Sequence, residues 1–131
     1  MSYIFDSSSI FRAIKENAVE VLAGNYTLDL ARYELGNIIW KEHALHKRIN
    51  ADELRSLVRL VKDVLNLMEI LTVNCSEEEI LDVSKKLRLT FYDASYICHA
   101  KGRQIPLVTE DAELLSKTKL HIKALRLNEL I

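Results

Sequence analysis

Apolar residues in this chain follow two alternating rhythms. Short dense runs such as Tyr3-Ile4-Phe5 and Pro106-Leu107-Val108-Thr109 give way to longer stretches in which apolar positions recur every three or four residues. Dense runs suit strands buried in a sheet, and the longer period suits amphipathic helices. The pattern predicts strands over 2–6, 26–28, 69–73, 105–109 and 122–125. Between them it predicts helices over about 8–17, 29–47, 50–67, 91–102 and 112–118, plus one opened by Ser76-Glu77-Glu78-Glu79. Gly24-Asn25 marks the turn into the second strand. Strand and helix in alternation build βαβ units. The expected fold is therefore α/β: a three-layer sandwich with a central parallel sheet of about five strands flanked by helices, with 1–131 as a single domain.

One helix is wider in apolar character than a core-facing stripe requires. Leu54, Leu57, Val58, Val61, Leu65 and Met68 form a stripe that Leu60, Val64, Leu67 and Leu71 broaden. Part of that arc is expected either to meet a second copy or a partner helix, or to be sandwiched within the monomer.

Composition narrows the class. Charge is balanced, with 18 Lys+Arg against 19 Asp+Glu, so there is no global nucleic-acid signature, although a local basic rim is compatible with it. No apolar run reaches the roughly 18 residues of a membrane span. No signal peptide is evident at the N-terminus, and the expected location is cytoplasmic. Cys75 and Cys98 are too few for a disulfide framework or a zinc motif, which leaves a buried apolar role for Cys98 or a single bridge between the two.

Four acids stand where folding alone favours apolar residues. Asp6 ends the first strand run, Glu34 interrupts a helical pattern, Asp93 lies among Phe91, Tyr92, Tyr96 and Ile97, and Asp111 follows Leu107-Val108-Thr109. Each has a plain structural alternative. Asp6 and Asp111 can cap helices, Asp93 completes a capping box with Thr90, and Glu34 can sit on a rim. Taken jointly, they fall at the carboxyl ends of strands or in the first turns of helices, where open parallel sheets bind ligands. Clustered carboxylates repel and raise one another's pKa unless a cation joins them. Oxygen-only donors suit Mg²⁺ or Mn²⁺ rather than zinc. Such ions activate water and stabilise charge on phosphoryl oxygens, which makes phosphodiester hydrolysis the natural reaction class.

Ile4-Phe5-Asp6-Ser7-Ser8, Tyr33-Glu34-Leu35-Gly36-Asn37, Thr90-Phe91-Tyr92-Asp93-Ala94-Ser95-Tyr96 and Leu107-Val108-Thr109-Glu110-Asp111 resemble, in order and spacing, the four blocks of PIN-domain nucleases. More narrowly, they are similar to the VapC-type toxins of prokaryotic toxin–antitoxin pairs, particularly archaeal ones. The resemblance implies a Mg²⁺- or Mn²⁺-dependent endoribonuclease with Asp6, Glu34, Asp93 and Asp111 as metal-binding catalytic acids. Ser7 and Thr109 match supporting hydroxyl positions, and Asn37, one turn beyond Glu34, is a further supporting candidate. It also implies a homodimer and a VapB-type antitoxin that wraps the helical hairpin. One departure from the pattern is Leu114, where many relatives carry another acid; Glu113 is the nearest substitute.

Other residues carry less. His43 and His46 lie one turn apart but lack a third ligand. Lys41, Lys47, Arg48, Arg55, Arg59 and Lys62 form either a solvated face or a contact to RNA phosphates. Ser7-Ser8-Ser9 lacks the frame of a serine nucleophile. Two rival readings are a non-catalytic PIN-like scaffold that binds a metal or partner, and a phospho-acceptor domain. The second needs a strand-end lysine, which is not evident.

Overall fold

The computed structural model describes residues 1–73 and 76–131. Five strands form one sheet: β1 (Ile4–Phe5), β2 (Tyr26–Leu28), β3 (Glu69–Leu71), β4 (Leu107–Val108) and β5 (Ala124–Leu125). Their order is β3-β2-β1-β4-β5, and every pairing is parallel. Six α-helices connect them: α1 (Ser7–Lys15), α2 (Leu30–Trp40), α3 (Ala51–Leu67), α4 (Glu77–Leu87), α5 (Phe91–Arg103) and α6 (Ala112–Thr118). The element order matches the sequence pattern, and the strands are shorter than the apolar runs because only their centres make ladder bonds.

Side chains on a strand alternate between faces, and the core divides accordingly. Phe5, Val108 and Leu125 pack with Ile10, Ala13, Ala31, Leu35, Ile39, Val61, Val64 and Leu65 of α1, α2 and α3. Ile4, Leu28 and Leu107 pack with Tyr96, Ile97 and Ala100 of α5 and Leu114 of α6. Each fully buried side chain of this size contributes about 1.5–3 kcal/mol. These two clusters make the three layers.

Chain winding places the crevice. From β1 the chain steps outward through β2 to β3, then returns past β1 to β4 and β5. The direction of winding therefore reverses between β1 and β4, and their carboxyl ends open a gap there. Ser9 fastens that gap at its base: its Oγ lies 2.9 Å from the Asp6 carbonyl oxygen and 2.8 Å from that of Val108.

Local signals set the element ends. Gly24 takes φ +76°, a left-handed conformation that suits glycine, and its N–H reaches the Leu67 carbonyl at 2.9 Å. Asn50 and Glu53 form a reciprocal capping box at the start of α3. The helix expected over 29–47 is not uniform. It is α-helical to Trp40 and then widens into a π turn over Lys41–Leu45, with His46 N–H bonded to the Lys41 carbonyl at 2.8 Å. The hairpin to α3 closes through His43 Nδ1, 3.0 Å from the Ile49 carbonyl oxygen. Among the described residues, no helix is long and apolar enough to cross a membrane.

Candidate active site

Asp6 is the first residue after β1 and caps α1. Its Oδ1 accepts from Ser9 N–H at 3.0 Å and from Ser8 Oγ at 2.7 Å, while Oδ2 accepts from the Thr109 hydroxyl. Thr109, fully buried after β4, accepts in turn from Asp111 N–H at 3.1 Å. Ser8 Oγ accepts from Glu110 N–H at 3.0 Å. Two hydroxyls thus lace the end of β1 to the end of β4 across the crevice. Asp111 caps α6, and its Oδ1 accepts from the N–H groups of Glu113 and Leu114. Asp93 lies in the first turn of α5, whose cap Thr90 accepts from Asp93 N–H at 3.1 Å. Glu34 projects from the middle of α2 and accepts from the Tyr96 hydroxyl at 2.9 Å.

Charge links these acids in part: Glu34 feels Asp6 and Asp93, and Asp93 feels Asp111 and Asp6. Asp6 is 6% exposed, and burial raises its carboxyl pKa, opposed by the hydrogen bonds from Thr109, Ser8 and Ser9. Burial also raises Glu34; the Tyr96 hydrogen bond opposes it, the charges of Asp6 and Asp93 add to it, and the Ser7 hydroxyl opposes it. For Asp93, burial comes first, followed by the charges of Asp111, Asp6 and Glu113. Among the described residues, none of the four acids forms an ion pair with lysine or arginine; the seven pairs present involve other acids. Negative charge is therefore concentrated at the crevice.

Among the described residues, no three His, Cys, Asp or Glu side chains stand close enough to form a ready-made metal cage. Four like charges repel, and Asp111 is drawn onto the N–H groups of its own helix. The donor set nevertheless suits a hard divalent cation: it is all oxygen, runs from buried Asp6 through half-buried Glu34 and Asp93 to exposed Asp111, and pairs with no lysine or arginine among the described residues.

Comparison with known proteins places this arrangement. The PIN domain family profile matches residues 1–120. This chain belongs to the PIN-domain family. One relative of this PIN domain, Exonuclease VapC9 of Pyrobaculum aerophilum, is 40% identical over 92 residues, which cover 70% of this chain and 65% of the relative. The chain thus spans just under two thirds of that relative's length. A second, Ribonuclease VapC3 of the same organism, is 31% identical, covering 78% of this chain and 77% of the relative. The crystal structure of PAE2754 from Pyrobaculum aerophilum shares 32% identity and a TM-score of 0.81, covering 99% of this chain and 86% of that one. VapBC2 from Rickettsia felis, solved bound to a DNA fragment from their promoter, superposes with a TM-score of 0.67 at 16% identity, over 96% of this chain and 98% of that one. At that identity the likeness is one of fold alone.

Beyond the four acids, the PIN crevice contains hydroxyls of three kinds. The Thr109 hydroxyl donates to Asp6, and the Ser7 hydroxyl acts on Glu34. Ser8 and Tyr96 were not anticipated. Asn37, one turn beyond Glu34 on α2, is exposed. Leu114 is buried beneath the crevice. Glu113 is held 2.8 Å from Lys117, and its charge still reaches Asp93.

Arg48 and Arg55 of the basic rim are engaged with Glu42 and Asp52, at 3.2 and 2.8 Å. Lys41, Lys47, Arg59 and Lys62 are exposed. On the hairpin, Val61, Val64 and Leu65 face the core, while Trp40, Leu45, Val58, Leu60 and Leu67 remain exposed. The arc is thus partly core and partly surface. Cys98 is buried on α5; Cys75, and with it the bridge between the two, lies outside the described residues.

Proposed function

We propose that this chain, as one PIN-like domain over 1–131, is a metal-dependent endoribonuclease and the toxin of a VapBC-type pair. One observation carries the reading: at the β1–β4 crevice Asp93 feels the charges of Asp111 and Asp6, Glu34 those of Asp6 and Asp93, and among the described residues no lysine or arginine pairs with any of the four. Family membership and the nuclease names of the relatives support it. Asp6, Glu34, Asp93 and Asp111 hold Mg²⁺ or Mn²⁺. Bound there, the ion supplies a water of lowered pKa and positive charge against the phosphoryl oxygens. Thr109 and Ser8 fix the Asp6 carboxylate, and Ser7 acts on Glu34. Repulsion among the carboxylates strengthens their demand for a cation. Lys41, Lys47, Arg59 and Lys62 are the rim cations that steady flanking RNA phosphates. The exposed apolar residues of the α2–α3 hairpin receive a VapB-type antitoxin, and a two-fold homodimer in the cytoplasm completes the assignment.

The test is cleavage of end-labelled structured RNA in Mn²⁺ or Mg²⁺ by wild type, Asp6→Asn and Asp93→Asn. Internal cuts by wild type, lost in both variants with the fold retained, support the proposal. A stepwise ladder from one end transfers it to exonuclease action. Equal cleavage by all three proteins overturns the catalytic role of these acids and leaves a PIN-like binding scaffold.

A further inference from the structure

We infer that Tyr96 is a positioning residue for this site, its hydroxyl holding the Glu34 carboxylate in the orientation that serves the cation. The inference rests on the metal-nuclease reading above and deepens it.

The four acids are not held alike. Asp6 and Asp111 cap helices and accept bonds from backbone N–H groups, and Asp93 stands in the first turn of α5. Their own helix starts orient these three. Glu34 lies in the middle of α2, where the N–H groups are already used within the helix. It also has the longest side chain of the four, with the most rotamer freedom to lose. Whatever orients it must come from another element.

Tyr96 is placed to do so. It lies on α5 three residues after Asp93, so one helix presents both an acid and a phenol on the same side. The residue is 1% exposed, packed with Ile4, Leu28 and Leu107, and its hydroxyl donates to Glu34 Oε1 at 2.9 Å across 62 positions of sequence. Close by, the Thr27 hydroxyl donates to the Phe5 carbonyl at 2.7 Å, one residue before Asp6. The Tyr96 bond thereby ties the acid on α2 to α5, the helix that carries Asp93. A buried phenol needs a partner, and phenylalanine would fill the same space without one. The hydroxyl therefore contributes something beyond packing.

Tyr96→Phe keeps the ring and deletes that hydroxyl. Wild type, Tyr96→Phe, Glu34→Asp and Glu34→Gln are titrated with Mn²⁺ while thermal melting is followed, and RNA cleavage is then measured at saturating Mn²⁺. Tyr96→Phe is expected to require about 10- to 100-fold more Mn²⁺ for half of the melting shift, and to lose kcat with little change in KM for RNA. Glu34→Asp keeps the charge but is one methylene too short to span from α2 to Tyr96, and is expected to weaken as well. A wild-type Mn²⁺ titration in Tyr96→Phe overturns the role of Tyr96, and a wild-type titration in Glu34→Asp overturns it even if Tyr96→Phe does not fold. If Glu34→Gln also titrates as wild type, the metal site itself fails. If Glu34→Gln loses its response while Tyr96→Phe keeps it, only the positioning role fails.

Discussion

Replacing Glu34 by glutamine should make the metal-free protein more stable and the metal-bound protein less so. Glutamine keeps the Oε1 acceptor for Tyr96 and the length of the side chain, and removes only the charge. Burial and then the charges of Asp6 and Asp93 raise the Glu34 pKa, so the ionised form is disfavoured in the fold. Relief of two like-charge contacts at this depth is about 1–2 kcal/mol. Loss of charge assistance in the Tyr96 bond returns about 0.5–1 kcal/mol, leaving a net gain of about 0.5–1 kcal/mol. For 131 residues the unfolding entropy is about 0.28 kcal/mol/K, so Tm in EDTA should rise by about 2–4 °C. Mn²⁺ at a hundredfold over its Kd stabilises wild type by about 2.7 kcal/mol, or about 10 °C. The variant should gain far less, and the order of the two melting temperatures should invert between chelator and Mn²⁺. Differential scanning calorimetry reads both. A variant that melts below wild type in EDTA, or equal Mn²⁺ increments, refutes the reasoning.

The raised carboxyls also set a pH dependence. Asp6, Glu34 and Asp93 bind protons more tightly folded than unfolded, so in EDTA their contribution to stability falls as pH rises through their raised values. The stability difference between wild type and Glu34→Gln should therefore narrow as pH drops from 7 towards the ordinary carboxyl value of 4.5, as read by urea unfolding; a constant difference contradicts it. Thr109→Val removes a donor to Asp6 and the acceptor of Asp111 N–H. It should cost about 1.5–3 kcal/mol, lower Tm by about 5–10 °C and blunt the Mn²⁺ shift. Asn50→Ala breaks the α3 capping box far from the acids. It should cost about 1 kcal/mol and leave RNA cleavage per folded molecule unchanged, as checked by parallel melting and turnover assays.

Much of this architecture was readable from local pattern. The period of the apolar residues identifies strand and helix, and strands separated by one or two helices lead to a parallel sheet with acids at the carboxyl ends of β1 and β4. Capping by Asp6 and Asp111, and the first-turn place of Asp93 in α5, do not exclude a place at the crevice, since a helix that starts there puts its first turn there. The hydroxyl partners were harder to identify. Ser7, Ser8 and Ser9 are chemically identical in sequence, and only the start of α1 turns Ser8 toward Asp6 and Glu110, Ser9 toward the Val108 carbonyl and Ser7 toward Glu34. Tyr96 could be read only as a core aromatic, because its partner lies 62 residues away. Asn37 follows Glu34 by three residues, yet it is exposed while Glu34 is half-buried. The π turn over Lys41–Leu45 has no composition signature; it occurs where the chain must close the hairpin onto Ile49.

The central claim is that Asp6, Glu34, Asp93 and Asp111 hold one divalent site between them. The direct measurement is an anomalous difference map from a crystal grown in Mn²⁺. A peak in the β1–β4 crevice within coordination distance of Asp6 and at least one acid from α2 or α5 is the predicted result. A crevice without density under conditions where Mn²⁺ raises Tm, or a peak held by other residues, would contradict the account.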